Sequence, residues 1–225
     1  MKTERLNFPV MDGRYQVSAI CLIPRKPKAF MVLGHGAGAG MEHRFMTQLA
    51  TNLANIDIGT LRYNFPYIEQ GRKTPTSPAI SEATVRAAVD QAKHISPVDK
   101  LLVGGKSYGG RMSSQAQSKS PLTGVAGLVF FGFPLHAPGK PSDRRGEHLQ
   151  KINIPMLFLQ GSRDALAKLD LLTPLVDSLK PYASLQVFMG ADHSFNMLKS
   201  AEKSSEEIQN ELALTTGQWL EEKVS

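Results

Sequence analysis

The chain has little of what would place it in a membrane, a disulfide scaffold or a metal site. It holds one cysteine among 225 residues. A lone Cys21 makes no internal disulfide and has no second cysteine with which to share a zinc ion; within the apolar run VSAICLI it reads as buried filler. No stretch reaches the about 18 consecutive apolar residues of a membrane-spanning helix. The opening segment MKTERLNFPVMDGRYQVSAICLIPRKPKAF has no continuous apolar stretch of signal-peptide length after its charges. The expectation is a soluble cytoplasmic protein without membrane insertion. Lysine and arginine never run longer than two and no aromatic platform motif accompanies them, so the net charge of +6 does not read as the footprint of a nucleic-acid binder. The histidines His35, His43, His94, His136 and His148 show no paired spacing such as H-E-x-x-H, and neither a metal nor a cofactor is expected.

The charge that is present is uneven. Residues 201–225 carry six acids against two bases, a net −4, which leaves +10 on residues 1–200 and predicts an acidic final helix on a basic body. With 41% hydrophobic composition, the chain is long enough for one α/β domain over residues 1–225 and short for two. Short β-rich apolar runs at 15–23, 29–34, 57–63, 100–105, 126–133, 154–161 and 184–190 alternate with helical patterns at 41–54, 79–95, 108–118, 165–179 and 203–222. Near-continuous apolar strands between helices predict a mostly parallel sheet covered on both faces, with only the first one or two strands antiparallel. Ile208, Leu212 and Trp219 share one face of the last helix, which is therefore expected to dock and close the core. Two polar, proline-bearing stretches, 64–78 and 134–150, are longer than usual connections and follow strand ends, where α/β sheets bind their ligands.

Two glycine-rich stretches carry the chemistry. GHGAGA, residues 34–39, follows a strand and precedes a helix, and so fits G-x-G-x-x-G/A formally. A dinucleotide site would want an acidic residue at the end of the next strand, which instead reads LRYNF; Arg62 there keeps a 2′-phosphate reading open. The other reading makes HGAG a turn whose backbone N–H groups form an oxyanion hole. A nucleophile decides between them. Gly105-Lys106-Ser107-Tyr108-Gly109 is a G-x-S-x-G that joins an apolar strand directly to a helix, the context of a nucleophile elbow. A serine hydroxyl is a poor nucleophile at neutral pH and needs a histidine base and an orienting carboxylate, in the chain order Ser, acid, His. Asp164 follows the strand IPMLFLQG and His193 follows SLQVFMG, so both side chains can converge on Ser107 across the top of the sheet. Asp192 is the rival acid, but a residue adjacent to His193 can rarely reach Nδ1 while leaving Nε2 to the serine. With these partners in place HGAG reads as an oxyanion loop, its donors the backbone N–H groups of Ala37 and Tyr108.

From MVLGHGAGAG to GADHSF the sequence resembles the α/β-hydrolase fold superfamily. Closer in, LGHGAGAGMEH, LRYNFPY, GGKSYGGRM, FGFPLHAPGKP and LQGSRD are similar to the small hydrolase-like family that includes testis-expressed protein 30 and the hydrolase-like domain of a nonspecific-lethal chromatin complex subunit. The likeness to dienelactone hydrolases is more distant, since their nucleophile is cysteine where this chain has Ser107. The resemblance implies an α/β-hydrolase fold with a central, mostly parallel sheet of about eight strands and a Ser-Asp-His triad at Ser107, Asp164 and His193. No insertion is large enough for a helical lid, so an open, shallow site for small or flexible acyl substrates is expected.

The resulting expectation is a serine hydrolase that cleaves an ester or thioester through an acyl-enzyme. A peptidase or acyltransferase on the same triad, and a noncatalytic hydrolase-like binding scaffold, are the alternatives. Substrate-contact candidates are Gly36, Gly38, Lys106, Arg62 and Asn64. Lys106 and Arg62, with Arg72, Lys73, Lys140, Arg144 and Arg145 on the two long stretches, would favour an anionic small-molecule acyl substrate. Nothing in the sequence speaks to the number of subunits.

Overall fold

The apolar runs assemble into one sheet. The computed structural model describes residues 1–75 and 77–224. Its strands are β1 (Lys2–Val10), β2 (Tyr15–Ile23), β3 (Ala29–Gly34), β4 (Ile58–Tyr63), β5 (Leu101–Lys106), β6 (Val125–Phe131), β7 (Met156–Gly161) and β8 (Ala183–Phe188). They lie in the order β1-β2-β4-β3-β5-β6-β7-β8. β2 is antiparallel to both its neighbours, and β4, β3, β5, β6, β7 and β8 run parallel. The chain steps outward from β3 to β4 and then returns to β5 on the other side. The winding therefore reverses at β3 and β5, and the carboxyl ends of these two strands border the crevice that such a reversal opens.

The helices are α1 (Arg44–Asn55), α2 (Pro66–Glu69), α3 (Pro78–Ile95), α4 (Tyr108–Lys119), α5 (Leu169–Ser178) and α6 (Ser205–Lys223). Side chains of successive strand residues point to opposite faces, and β3 shows the consequence. Phe30 and Val32 join the core on the side of α3, α4 and α5, with Val85, Ala88, Met112 and Leu172, whereas Met31 and Leu33 join the core on the side of α1 and α6, with Phe45, Leu49, Leu212 and Trp219. Each large side chain buried in these two cores contributes about 1.5–3 kcal/mol. α6 starts with a reciprocal cap, the Ser204 side chain accepting from the Glu207 N–H and the Glu207 carboxylate from the Ser204 N–H. It docks as its pattern predicts, with Ile208, Leu212 and Trp219 all buried.

Three features depart from the sequence pattern. β1 was not among the expected strands; it is an edge strand of mostly exposed residues in which only Phe8 and Val10 are fully buried, and Pro9 is tolerated because one side has no neighbour. α1 begins at Arg44 rather than 41, leaving residues 35–43 as a loop over the end of β3. The two long stretches, expected as irregular connections, each hold a short helix, α2 within 64–78 and a 3-10 helix over Arg144–Lys151. Thr76, within the first of them, lies outside the described residues. Among the described residues no helix is long and apolar enough to cross a membrane.

Candidate active site

Ser107 stands at the turn from β5 into α4 with φ 50° and ψ −111°, a conformation that non-glycine residues rarely hold and that costs on the order of 1–3 kcal/mol. The surroundings enforce it. The Ser107 N–H donates to the Phe131 carbonyl at 3.1 Å, and the Arg111 N–H donates to the Ser107 carbonyl at 3.1 Å, so the turn is tied to β6 and to the helix at once. The flanking glycines permit a backbone-to-backbone approach: a Cβ on Gly105 would lie 2.2 Å from the Gly34 oxygen, and one on Gly109 would lie 2.3 Å from the Gly34 carbonyl. No other residue type fits there.

His193 and Asp164 arrive from the ends of β8 and β7. His193 Nε2 lies 2.8 Å from Ser107 Oγ, and Nδ1 lies 2.6 Å from Asp164 Oδ2. The Asp164 side chain is buried; its Oδ1 accepts from the Leu166 N–H at 2.7 Å, and Oδ2 also accepts from the Gln160 side-chain amide. The contact to Asp164 makes Nδ1 the donor on that side and leaves Nε2 to accept from the serine. Asp192 does none of this. Its carboxylate caps the local turn, accepting from the Ser194 and Asn196 N–H groups at 2.8 Å each.

Lys106 fixes the histidine loop from below. Its ammonium donates to the His193 carbonyl at 2.6 Å and lies 5.8 Å from the ring centres of both Phe45 and Phe195. Burial pulls its pKa down to about 8, against the pull of Asp164 and Asp192. Its charge is thus spent on the protein, while its aliphatic stem lines the cleft beside Gly36.

The loop 35–43 sits across from the serine. His35 is fully buried and bridges the loop to the exit of β4, with Nδ1 donating to the Gly36 carbonyl at 2.7 Å and Nε2 accepting from the Phe65 N–H at 3.1 Å. Burial lowers its pKa to about 4, so the ring is neutral. Neither the Ala37 nor the Tyr108 N–H has an acceptor among the described residues. The structure does not bring Gly38, Arg62 or Asn64 to the clefts beside Ser107. The Gly38 N–H donates to the Tyr67 hydroxyl at 3.3 Å, at φ 74°. Asn64 accepts from the Met41 N–H at 2.8 Å, and Arg62, 6% exposed, donates to the Met41 carbonyl at 3.1 Å and to Thr47 Oγ1 at 2.9 Å. All three brace the loop, and the Arg62 guanidinium is engaged there by Met41 and Thr47.

Two clefts open from Ser107, sharing Ala37 and Leu166 in their walls. One, of about 350 Å³, runs past Gly36, Ala39, Phe45 and Met46 toward His193 and is mainly apolar. The other, of about 390 Å³, runs past Tyr108, Pro75, Pro78 and Pro134 to Arg111 and Arg145. A larger groove of about 730 Å³ lies between β8 and α6 but contains none of these residues, so the chemistry belongs to the clefts. Arg111 was not singled out in the sequence; the signal was its position one helical turn beyond Ser107. Among the described residues no group of three or more His, Cys, Asp or Glu side chains is placed to hold a metal ion.

A mostly parallel eight-stranded sheet with β2 antiparallel, helices on both faces and a serine at the β5–α4 turn is the α/β-hydrolase fold, here without a lid among the described residues. Residues 27–221 match the family described as the alpha/beta hydrolase domain, and the chain belongs to that family. Among solved structures, a serine hydrolase without lid from Xanthomonas campestris is similar at 17% identity, with TM-score 0.75 over 97% of this chain and 95% of that one. A serine hydrolase homologue from Coxiella burnetii shows 19% identity and TM-score 0.75 over 96% and 98%. A dienelactone hydrolase from Anabaena variabilis shows 18% identity and TM-score 0.76 over 100% of both chains. At such identities the likeness is one of fold.

Proposed function

We propose that this protein is a serine hydrolase that cleaves a small carboxylic ester or thioester through an acyl-enzyme on Ser107. The observation that carries the proposal is the unbroken hydrogen-bond chain from Asp164 through His193 to Ser107, beside which the Ala37 and Tyr108 amides have no acceptor among the described residues. A binding scaffold has no need to hold a serine in a strained turn against a histidine and a carboxylate. The likeness of fold to a lidless serine hydrolase from Xanthomonas campestris supports the same reading.

His193 Nε2 takes the Ser107 proton as Oγ bonds to the substrate carbonyl carbon, and the carbonyl oxygen, now negative, accepts from the Ala37 and Tyr108 N–H groups. Asp164 stabilises the imidazolium. The carbon–oxygen or carbon–sulfur bond to the leaving group breaks as His193 returns the proton to it. Water then attacks the acyl-enzyme, again giving its proton to His193, and the acid leaves with Ser107 restored. Thioesters suit the same site, because the oxyanion forms on the same carbonyl.

The decisive experiment treats the folded protein and Ser107→Ala with a fluorophosphonate probe and locates any adduct by peptide mass spectrometry. Labelling at Ser107 in the wild type alone is expected, together with hydrolysis of short acyl esters that Asp164→Asn slows by about 10⁴. Absence of an adduct on folded protein across a range of pH would replace the hydrolase with a noncatalytic scaffold.

A further inference from the structure

The second cleft has an uncommon electrostatic composition. Arg111 and Arg145 line it together, and neither makes a salt bridge among the described residues. The nearby acids are taken: Glu82 is held by Lys119 at 2.6 Å and Glu147 lies beside Arg144 at 4.0 Å. Arg111 Nε is buried with no hydrogen-bond acceptor among the described residues, and its guanidinium lies 6.0 Å from the ring centre of Tyr108. Burial, then the neighbouring Arg145, pull the Arg111 guanidinium below its usual pKa. Two further sources of positive potential point the same way. The first turn of α4 begins at Tyr108, and α3 begins at Pro78 with a Ser77 cap whose side chain makes no capping bond. Like charges are brought together at a cost, and a buried guanidinium donor without an acceptor adds to it.

Resting on the serine-hydrolase reading above, we propose that Arg111 and Arg145 form a carboxylate-binding subsite, and that the substrate is an ester or thioester bearing a carboxylate a few bonds from its scissile carbonyl. The geometry sets the spacing. Arg111 is one helical turn, about 6 Å of rise, beyond Ser107, and the cleft that it lines is also lined by Ser107 and Ala37. A carboxylate that accepts from the planar guanidinium forks leaves its carbonyl beside the serine. The apolar cleft past Phe45 and Met46 takes the other end of the molecule. The carboxylate takes no part in the bond changes; it orients the ester.

The test uses two matched pairs of esters. Para-nitrophenyl hemiglutarate against para-nitrophenyl valerate places the carboxylate on the acyl side, and para-acetoxybenzoate against its methyl ester places it on the leaving group. In one of the pairs kcat/KM for the anionic member is expected to exceed that for the neutral one by about tenfold or more, the worth of a charged hydrogen-bonded contact. That ratio should collapse in Arg111→Gln and Arg145→Gln and fall part-way in Arg111→Lys, which keeps the charge and loses the fork. Arg145 lies on the 3-10 helix, so its variant leaves α4 intact if Arg111→Gln folds poorly. Ratios near one in both pairs, with Ser107 labelled and neutral esters hydrolysed, would sink the subsite and leave the hydrolase standing. If no ester is turned over, calorimetric titration of Ser107→Ala with glutarate decides. Millimolar binding abolished by Arg145→Gln keeps the carboxylate site in a protein that is not a hydrolase, and no binding removes both.

Discussion

Ser107 pays for its position in backbone conformation, and that cost can be measured apart from activity. Glycine relaxes a positive φ, whereas alanine retains the Cβ responsible for the strain. Ser107→Gly is therefore expected to be more stable to denaturant than Ser107→Ala by about 1 kcal/mol, after allowing for the extra freedom of glycine in the unfolded chain. Both variants should fail to take up the fluorophosphonate. Equal midpoints in a urea titration would show that the elbow stores no strain. At this scale the sequence was legible where function depends on chain order. Ser107, Asp164 and His193 each follow a strand end, and parallel strands bring such positions to one edge. It was illegible where function depends on which way a side chain turns. Arg62 and Asn64 sit beside the site in sequence yet are used up bracing residues 35–43, and Arg111 looked like one more polar residue on a helix.

The loop 35–43 is an element without regular structure, and His35 is one of its ties to the exit of β4. The folded-state pKa of about 4 lies below the ordinary 6.5, so the folded protein resists a proton that the unfolded chain accepts. Stability contributed by the neutral ring is full above pH 6.5 and is lost as pH falls toward 4, on the order of 3 kcal/mol from this group. His148, lowered to about 4 by burial and by Arg111, acts in the same direction. Urea midpoints measured between pH 7 and 4 should fall for the wild type and fall less steeply for His35→Gln; parallel slopes would mean that the buried ring does not couple the loop to folding. Element assignments followed the hydrophobic pattern where burial was two-sided or followed one helical face, as in β3 and α6. They failed at β1, because an edge strand with one half-buried face and a proline has too few apolar residues to announce itself.

For the molecule as a whole, the unequal charge distribution acquires a direction. The acidic residues of α6 lie on the face of the sheet opposite α4, so the sheet separates them from Arg111 and Arg145. The remaining body carries +10 over residues 1–200, and with no lid among the described residues the clefts stand open to that field. For whichever anionic ester is preferred, kcat/KM is expected to fall several-fold as ionic strength rises from about 0.01 M to about 0.15 M, while its neutral counterpart changes little. An equal response of the two esters would remove steering from the account.

The contact of Gly34 with Gly105 and Gly109 joins main chain to main chain, with no side chain between. Ser107 is therefore located by the skeleton of β3, β5, β6 and α4, and the side chains that line the cleft toward Arg111 have no part in holding it there. On the hydrolase reading proposed above, exchange of Arg145 or Leu166, by selection or in the laboratory, is expected to rewrite what is recognised without moving Ser107.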